Sequence, residues 1–291
     1  MSFKGTFTAL ITPFEKNGDI DFDNLKKLVE RQILAGIDGV VPVGTTGESP
    51  TLNTSEHLKV IQEVVKIVNK RCQVIAGTGA NSTAEAVELT LAAKSFGVDG
   101  TLQVTPYYNK PNDEGLIRHF SKIADIGVPV VLYNVPGRTS KEISLDVIKE
   151  LSKHKNIISI KEASGTVENV KKIKDNCTLE VLSGDDILAV PMIKEGAQGV
   201  ISVASNAIPK SLSKMINKAL EGDFVESEKI HNFYKTFFDD LFIDTNPIPI
   251  KSALSFMQLA EEIFRLPLCS MPNEKKEILF QTMKKTGVLD G

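Results

Sequence analysis

The stretch EGAQGVISV at residues 195–203 is echoed twice earlier in the chain, as AGIDGVVPVG at 35–44 and FGVDGTLQV at 96–104. Each places a glycine behind a helical stretch, then two residues, a second glycine and an apolar run. Glycine takes the left-handed turn that ends a helix without a side-chain penalty, so the echo marks a repeated passage from helix to strand. Reading outward, short apolar runs alternate with amphipathic ones. The order is GTFTALIT, Phe22 to Ala35, GVVPVG, Thr54 to Asn69, QVIAGTG, Ser82 to Phe96, GTLQVTP and Asn112 to Asp125. It continues with VPVVLYN, Ser144 to His154, NIISIKEAS, Thr166 to Asn176, LEVLSG, Asp185 to Glu195, GVISVAS and Pro209 to Glu221. Ser82-Thr83-Ala84-Glu85 reads as a capping box that fixes the start of one helix.

Eight strand–helix units predict an α/β fold, a closed (β/α)8 TIM barrel with a C-terminal helical appendix. An open doubly wound sheet uses fewer strands and a GxGxxG turn after the first, and no such turn follows Ile11. We expect residues 1–222 to form the catalytic barrel. Residues 223–291, punctuated by Pro247, Pro249, Pro267 and Pro272, should form helices packed on it.

At 291 residues, with 42% hydrophobic and 24% charged residues, the chain matches an ordinary globular protein rather than a disordered or fibrous one. A net charge of -3 without a dense basic block argues against nucleic acid and for a small-molecule partner. No basic leader with an apolar core opens the sequence, and no long uninterrupted apolar window follows, so neither secretion nor a membrane is indicated and a cytoplasmic location is expected. Cys72, Cys177 and Cys269 are odd in number and widely spaced, as reduced thiols are. His57, His119, His154 and His231 form no metal-binding spacing, so no metal is expected.

In such barrels chemistry sits at the C-terminal ends of the strands. Lys161 closes the run Asn156 to Lys161, and alternation puts it on the face of Ser159, opposite Ile158 and Ile160. Taken alone, a strand-end lysine is most often solvated. At a barrel mouth, apolar walls disfavour an ammonium, and the neutral amine can attack a ketone to form an imine. Tyr133 ends the preceding strand, where adjacency brings a proton donor beside Lys161. Arg138 follows in the loop with a planar fork suited to a carboxylate. After the second strand, GTTGES at 44–49 offers hydroxyls and backbone N–H groups to an anion. The loop at Ser183-Gly184-Asp185-Asp186 carries two carboxylates, which disfavour a phosphate site. TPYYNKP at 105–111 presents paired aromatics suited to a subunit contact.

Together, GTTGES, PYYNKP, YNVPGRT, IKEAS, LSGDD and TNPIPIK resemble the loops of the dihydrodipicolinate synthase family, which includes N-acetylneuraminate lyase. The similarity runs from about Gly5 to the C-terminal helices. GTTGE and the strand-six lysine mark the Schiff-base class as a whole. The Arg138 loop, PYYNKP and TNPIPIK are more specific to its synthase branch.

The resemblance implies a lyase that condenses pyruvate with L-aspartate 4-semialdehyde to 4-hydroxy-tetrahydrodipicolinate, the first committed step of diaminopimelate and lysine biosynthesis. It implies that Lys161 carries pyruvate as an imine, with no metal or other cofactor. Thr46 would hold the pyruvate carboxylate and Tyr133 would shuttle protons. Thr45 would link Tyr133 to Tyr108, which reaches into a neighbouring subunit's site. Arg138 would bind the semialdehyde carboxylate, while Gly184 and Ile201 line the pyruvate pocket. The expected assembly is a homotetramer of two tight dimers. Ser49, His57, Asn81, Glu85 and Tyr107 match positions of an allosteric lysine site, although Thr54 stands where sensitive members often have histidine, which leaves inhibition open.

Three rival readings remain. A sugar-acid lyase would keep Lys161 and Tyr133 without needing Arg138, a non-catalytic barrel would not need the intact set, and a phosphate-binding isomerase fits poorly with Asp185 and Asp186.

Overall fold

The computed structural model describes residues 2–290. Eight parallel strands close on themselves in sequence order: β1 (Gly5–Ala9), β2 (Gly39–Val41), β3 (Gln73–Gly77), β4 (Gly100–Val104), β5 (Val130–Asn134), β6 (Ile157–Glu162), β7 (Glu180–Ser183) and β8 (Gly199–Ser202). The ring closes where β8 pairs with β1, from Gly5 opposite Gly199 to Thr8 opposite Ser202. Helices α1 (Phe22–Leu34), α2 (Thr54–Val68), α3 (Thr83–Phe96) and α4 (Asp113–Ala124) connect the first five strands. A single turn, α5 (Pro136–Thr139), then precedes α6 (Leu145–Leu151), α7 (Glu168–Asn176), α8 (Ala189–Lys194) and α9 (Pro209–Leu220). The barrel fold is the one the alternation predicts.

Three helices follow: α10 (Phe224–Asp240), α11 (Ile248–Phe256) and α12 (Asn273–Lys285). Helix α10 packs on α9, and α11 packs on both α12 and the short turn Ala204–Asn206 that follows β8. No helix among the described residues is long and apolar enough to cross a membrane.

One end of the barrel is plugged, and that decides where a cavity can form. Phe3 and Phe7 meet edge to face with ring centroids 5.9 Å apart. Their space exists because two strand positions lack side chains: a Cβ on Gly39 would lie 2.5 Å from the Phe7 ring, and one on Gly100 2.5 Å from Phe3. Above the plug, Val41, Ile75, Leu102, Val131, Leu182 and Ile201 fill the interior. Outside the strands, separate apolar layers seat the helices. Burial of this kind contributes roughly 25 cal/mol per Å² of apolar surface, which dwarfs any single cap or ion pair.

Two local expectations change. Ile158 packs against the interior cluster rather than lying opposite Lys161. The cause is an irregularity in the β5–β6 register, where Val130 partners Ile157 but Val131 partners Ser159, so one extra residue shifts the alternation. Ser82 accepts from the Glu85 backbone N–H at 3.5 Å, so only that half of the expected capping box forms. The full reciprocal box sits instead at the start of α2, between Asn53 and Glu56.

Candidate active site

The Lys161 side chain leaves β6 one residue before its end, and Tyr133 is its register partner on β5. The interior parity of both strands turns the two side chains into the open end of the barrel. The amine lies 4.3 Å from the centroid of the Tyr133 ring, and the residue is 6% exposed. Among the described residues no carboxylate lies within ion-pair distance of it; every ion pair uses another cation. Gly184 keeps this space clear, since a Cβ there would sit 3.0 Å from the Lys161 Cε and 2.6 Å from the Ala163 Cβ.

The chain bends sharply after β2. Val43 and Glu48 hold φ angles of +51° and +55°. Such conformations cost on the order of 1–3 kcal/mol each for residues with side chains, most for a β-branched one. Gly77 permits the bend, because the Val43 carbonyl oxygen lies 2.4 Å from where its Cβ would be. The strain sets Thr45 and Thr46 over the barrel mouth. Thr46 Oγ1 accepts a hydrogen bond from Asn246 Nδ2 at 3.0 Å, which leaves its own proton free to donate. Arg138, at the end of α5, donates from Nη2 to the Asn246 carbonyl at 3.3 Å.

These placements converge. One cavity is lined by Thr45, Thr46, Tyr133, Arg138, Lys161, Gly184 and Ile201, the seven residues singled out above for chemistry and substrate binding apart from Tyr108. Tyr108 stands apart, 91% exposed at a φ of +72°. An adjoining hollow shares Thr45, Tyr133 and Arg138 and adds Ser49 and Tyr107. Burial, and then the charge of Glu85, push the Tyr107 phenol up from its ordinary value. Asn81 donates to the Tyr107 carbonyl at 3.2 Å, so it braces that loop. His57 is buried on α2, with Nε2 2.8 Å from the Gly77 carbonyl oxygen, and burial lowers its pKa. His57, Asn81 and Glu85 line neither hollow.

The two adjacent carboxylates divide. Asp185 lines the cavity, and burial raises its pKa. Asp186 turns away, fully buried, and accepts the Val203 and Ala204 backbone N–H groups at 3.0 and 2.8 Å. Burial pushes its carboxyl up to about 6. Of the two carboxylates read as disfavouring phosphate, one therefore stands at the cavity and the other clamps the loop after β8.

Sequence reasoning missed Asn246 and the buried pair beneath it. Lys251 Nζ lies 2.6 Å from Glu48 Oε1, both side chains having no exposed surface, and donates to the Thr12 carbonyl at 3.0 Å. Both residues stood within quoted motifs, GTTGES and TNPIPIK, but 203 residues of separation hide their pairing.

A screened amine stacked on a phenol, with hydroxyls and a guanidinium facing the same space, defines a site for amine–carbonyl chemistry on an anionic substrate. Comparison with known proteins agrees. The profile of the dihydrodipicolinate synthetase family matches residues 2–286. The chain is 48% identical to a 4-hydroxy-tetrahydrodipicolinate synthase of Methanocaldococcus jannaschii, covering 99% of this chain and 100% of that one. It superposes on a synthase of that name from Methylacidiphilum fumariolicum with a TM-score of 0.97 at 46% identity, over 99% and 97% of the two chains. The dihydrodipicolinate synthase of Acinetobacter baumannii in complex with pyruvate gives 0.97 at 43% identity, over 99% and 100%. The chain belongs to the dihydrodipicolinate synthetase family.

Proposed function

We propose that the chain is a 4-hydroxy-tetrahydrodipicolinate synthase, condensing pyruvate with L-aspartate 4-semialdehyde at the head of diaminopimelate and lysine biosynthesis. One observation carries the reading: a buried amine without an anionic partner, 4.3 Å from a tyrosine ring, in a cavity that also holds Thr45, Thr46 and Arg138. The pyruvate complex of the Acinetobacter baumannii relative supports the first substrate.

The Lys161 nitrogen adds to the pyruvate ketone, and the carbinolamine loses water once its hydroxyl is protonated. The Tyr133 phenol donates that proton. The resulting imine draws electrons from the adjacent methyl, which gives up a proton to the Tyr133 phenolate to form the enamine without a metal. The Thr46 hydroxyl and neighbouring backbone N–H groups hold the pyruvate carboxylate. Arg138 pairs with the carboxylate of the semialdehyde and turns its aldehyde toward the enamine carbon, which attacks it, so that the imine re-forms and the new oxyanion takes a proton from the Tyr133 phenol. The amine of the second substrate then displaces Lys161 from the imine carbon, closing the ring and freeing the enzyme. Gly184 and Ile201 shape the pyruvate end of the cavity.

Tyr108 lies too far out to serve its own site, and its exposed position suits a role in a second copy, where Thr45 would join it to that copy's Tyr133. The proposed assembly is a homotetramer of two such dimers. The free cysteines, Cys72, Cys177 and Cys269, are consistent with a cytoplasmic enzyme. Residues 1–222 make the barrel unit and 223–291 its helical partner. Ser49 and Tyr107, facing the adjoining hollow, with His57, Asn81 and Glu85 behind, form the proposed effector region, and titration of initial rates with lysine tests it.

Borohydride reduction with pyruvate, read by intact mass, is expected to leave one adduct on Lys161. Turnover should follow with aspartate semialdehyde and not with N-acetylmannosamine. An adduct with turnover of only the sugar would move the assignment to a sugar-acid lyase. No adduct would end the Schiff-base reading.

A further inference from the structure

Lys251 is a cation sealed inside the protein, and the cavity does not use it. Its ammonium meets Glu48 at 2.6 Å and the Thr12 carbonyl at 3.0 Å, while the rings of Phe14 and Phe264 lie 4.3 and 5.2 Å away. The other oxygen of Glu48 accepts the Arg265 backbone N–H at 3.2 Å. Arg265 in turn grips Glu56 through two hydrogen bonds of 2.7 and 2.6 Å, and donates to the carbonyls of Gly18 and Thr51 at 2.9–3.0 Å.

The arrangement is two-pointed. The segment from Asn246 to Lys251 touches the loop after β2 twice, through Asn246 on Thr46 and through Lys251 on Glu48. Only Gly47 lies between these contacts, and Glu48 itself holds a left-handed φ of +55°, a conformation that the loop does not prefer by itself. Lys251 is fixed by the first turn of α11, where its N–H bonds the Pro247 carbonyl at 3.1 Å. A buried lysine cannot trade Glu48 for water, so the distance between α11 and the loop is set from inside.

We propose that Lys251 and Glu48 are positioning residues: their ion pair holds the Thr45–Thr46 loop at the height above Lys161 that pyruvate binding requires. The inference rests on the functional reading above. A loose loop would leave Lys161 and Tyr133 in place on their strands while shifting Thr46, which holds the acid, and Thr45, which the proposed relay uses, so the pair governs affinity for the acid and, through Thr45, the chemical step.

The test is the double variant Glu48→Gln/Lys251→Met, which removes both charges and keeps most of the shape, an exchange that buried ion pairs often tolerate. The expected result is a folded protein whose KM for pyruvate rises about tenfold while kcat falls by a smaller factor. Amide exchange across residues 44–49 should accelerate, and exchange in β5 and β6 should not. Unchanged KM and unchanged exchange in the folded variant would overturn the proposal. If the double variant does not fold, Lys251→Arg carries the test, with the same direction expected on a smaller scale and unchanged constants overturning it. The exchange readout needs no turnover. Borohydride trapping on wild-type protein separates failure of the Schiff-base reading from failure of this one.

Discussion

Two lysines of this protein lie buried, each 4.3 Å from the centroid of an aromatic ring, and they differ in what else the amine meets. Lys251 has a carboxylate at 2.6 Å and no exposed surface, whereas Lys161 has no such partner and opens onto a cavity. A paired buried cation is consumed by the structure; an unpaired one is available for chemistry. The Lys251 nitrogen is already engaged by Glu48 and the Thr12 carbonyl, whereas the Lys161 nitrogen faces a space that a substrate carbonyl can enter.

The sharpest way to break this contrast is to remove each amine. Lys161→Ala is expected to lose at least 10³-fold in turnover, along with the borohydride adduct, while melting within a few degrees of wild type by calorimetry. A large drop in melting temperature would place Lys161 among the structural lysines. Lys251→Ala should do the reverse and destabilise by about 3–5 kcal/mol in urea unfolding, because it strands the Glu48 charge in the interior. Unfolding at wild-type denaturant concentration would show that the pair contributes no net stability.

The next effects refine the chemistry around the free amine. Tyr133→Phe keeps the ring under Lys161 and removes only the proton donor, so kcat should fall about 10²–10⁴-fold with the fold intact. Arg138→Met should raise KM for the semialdehyde about 100-fold and leave pyruvate trapping untouched, and a parallel loss of trapping would mean that the guanidinium serves the first substrate.

A third buried base gives the smallest effect. Burial lowers the His119 pKa to about 4, and the ring has Thr83 as its hydrogen-bond partner on Nδ1 and none on Nε2. Its unfolded value is near 6.5, so between about 6.5 and 4 the unfolded chain binds more protons than the native one, and stability falls as the pH is lowered through that window. The full cost approaches about 3 kcal/mol at 1.4 kcal/mol per unit. Asp186, raised to about 6, acts in the opposite direction, since its native state holds a proton that the unfolded state has released. The difference in melting temperature between wild type and His119→Gln across pH 7 to 4 isolates the histidine, and parallel curves would refute its role.

The barrel and most of the cavity are legible in the sequence because both depend on short-range signals. Strand runs and helix-ending glycines set the alternation, and strand ends then locate Lys161 and Tyr133 without any knowledge of packing, while Gly184 and Ile201 come from the family resemblance. What escapes is set by neighbours distant in the chain. Ile158 turns inward because β5 imposes an extra residue on β6, which no periodicity in β6 reveals. The acidic run at Asp185 and Asp186 reads as one charged loop until the backbone of the β8 turn claims its second member. Glu48 and Lys251 stand in two motifs with nothing in either to pair them, and only the closed barrel brings them together.

That pairing also imposes an order on manufacture. Thr12 and Glu48 emerge early in synthesis, and the amine that holds them comes 239 and 203 residues later. At about 5–20 residues per second, a growing chain carries an unfastened acid loop for about 10–40 s. A nascent barrel therefore waits on nearly its whole length before the loop is fastened, and a product cut short before residue 251 would lack that fastening whatever the state of its strands.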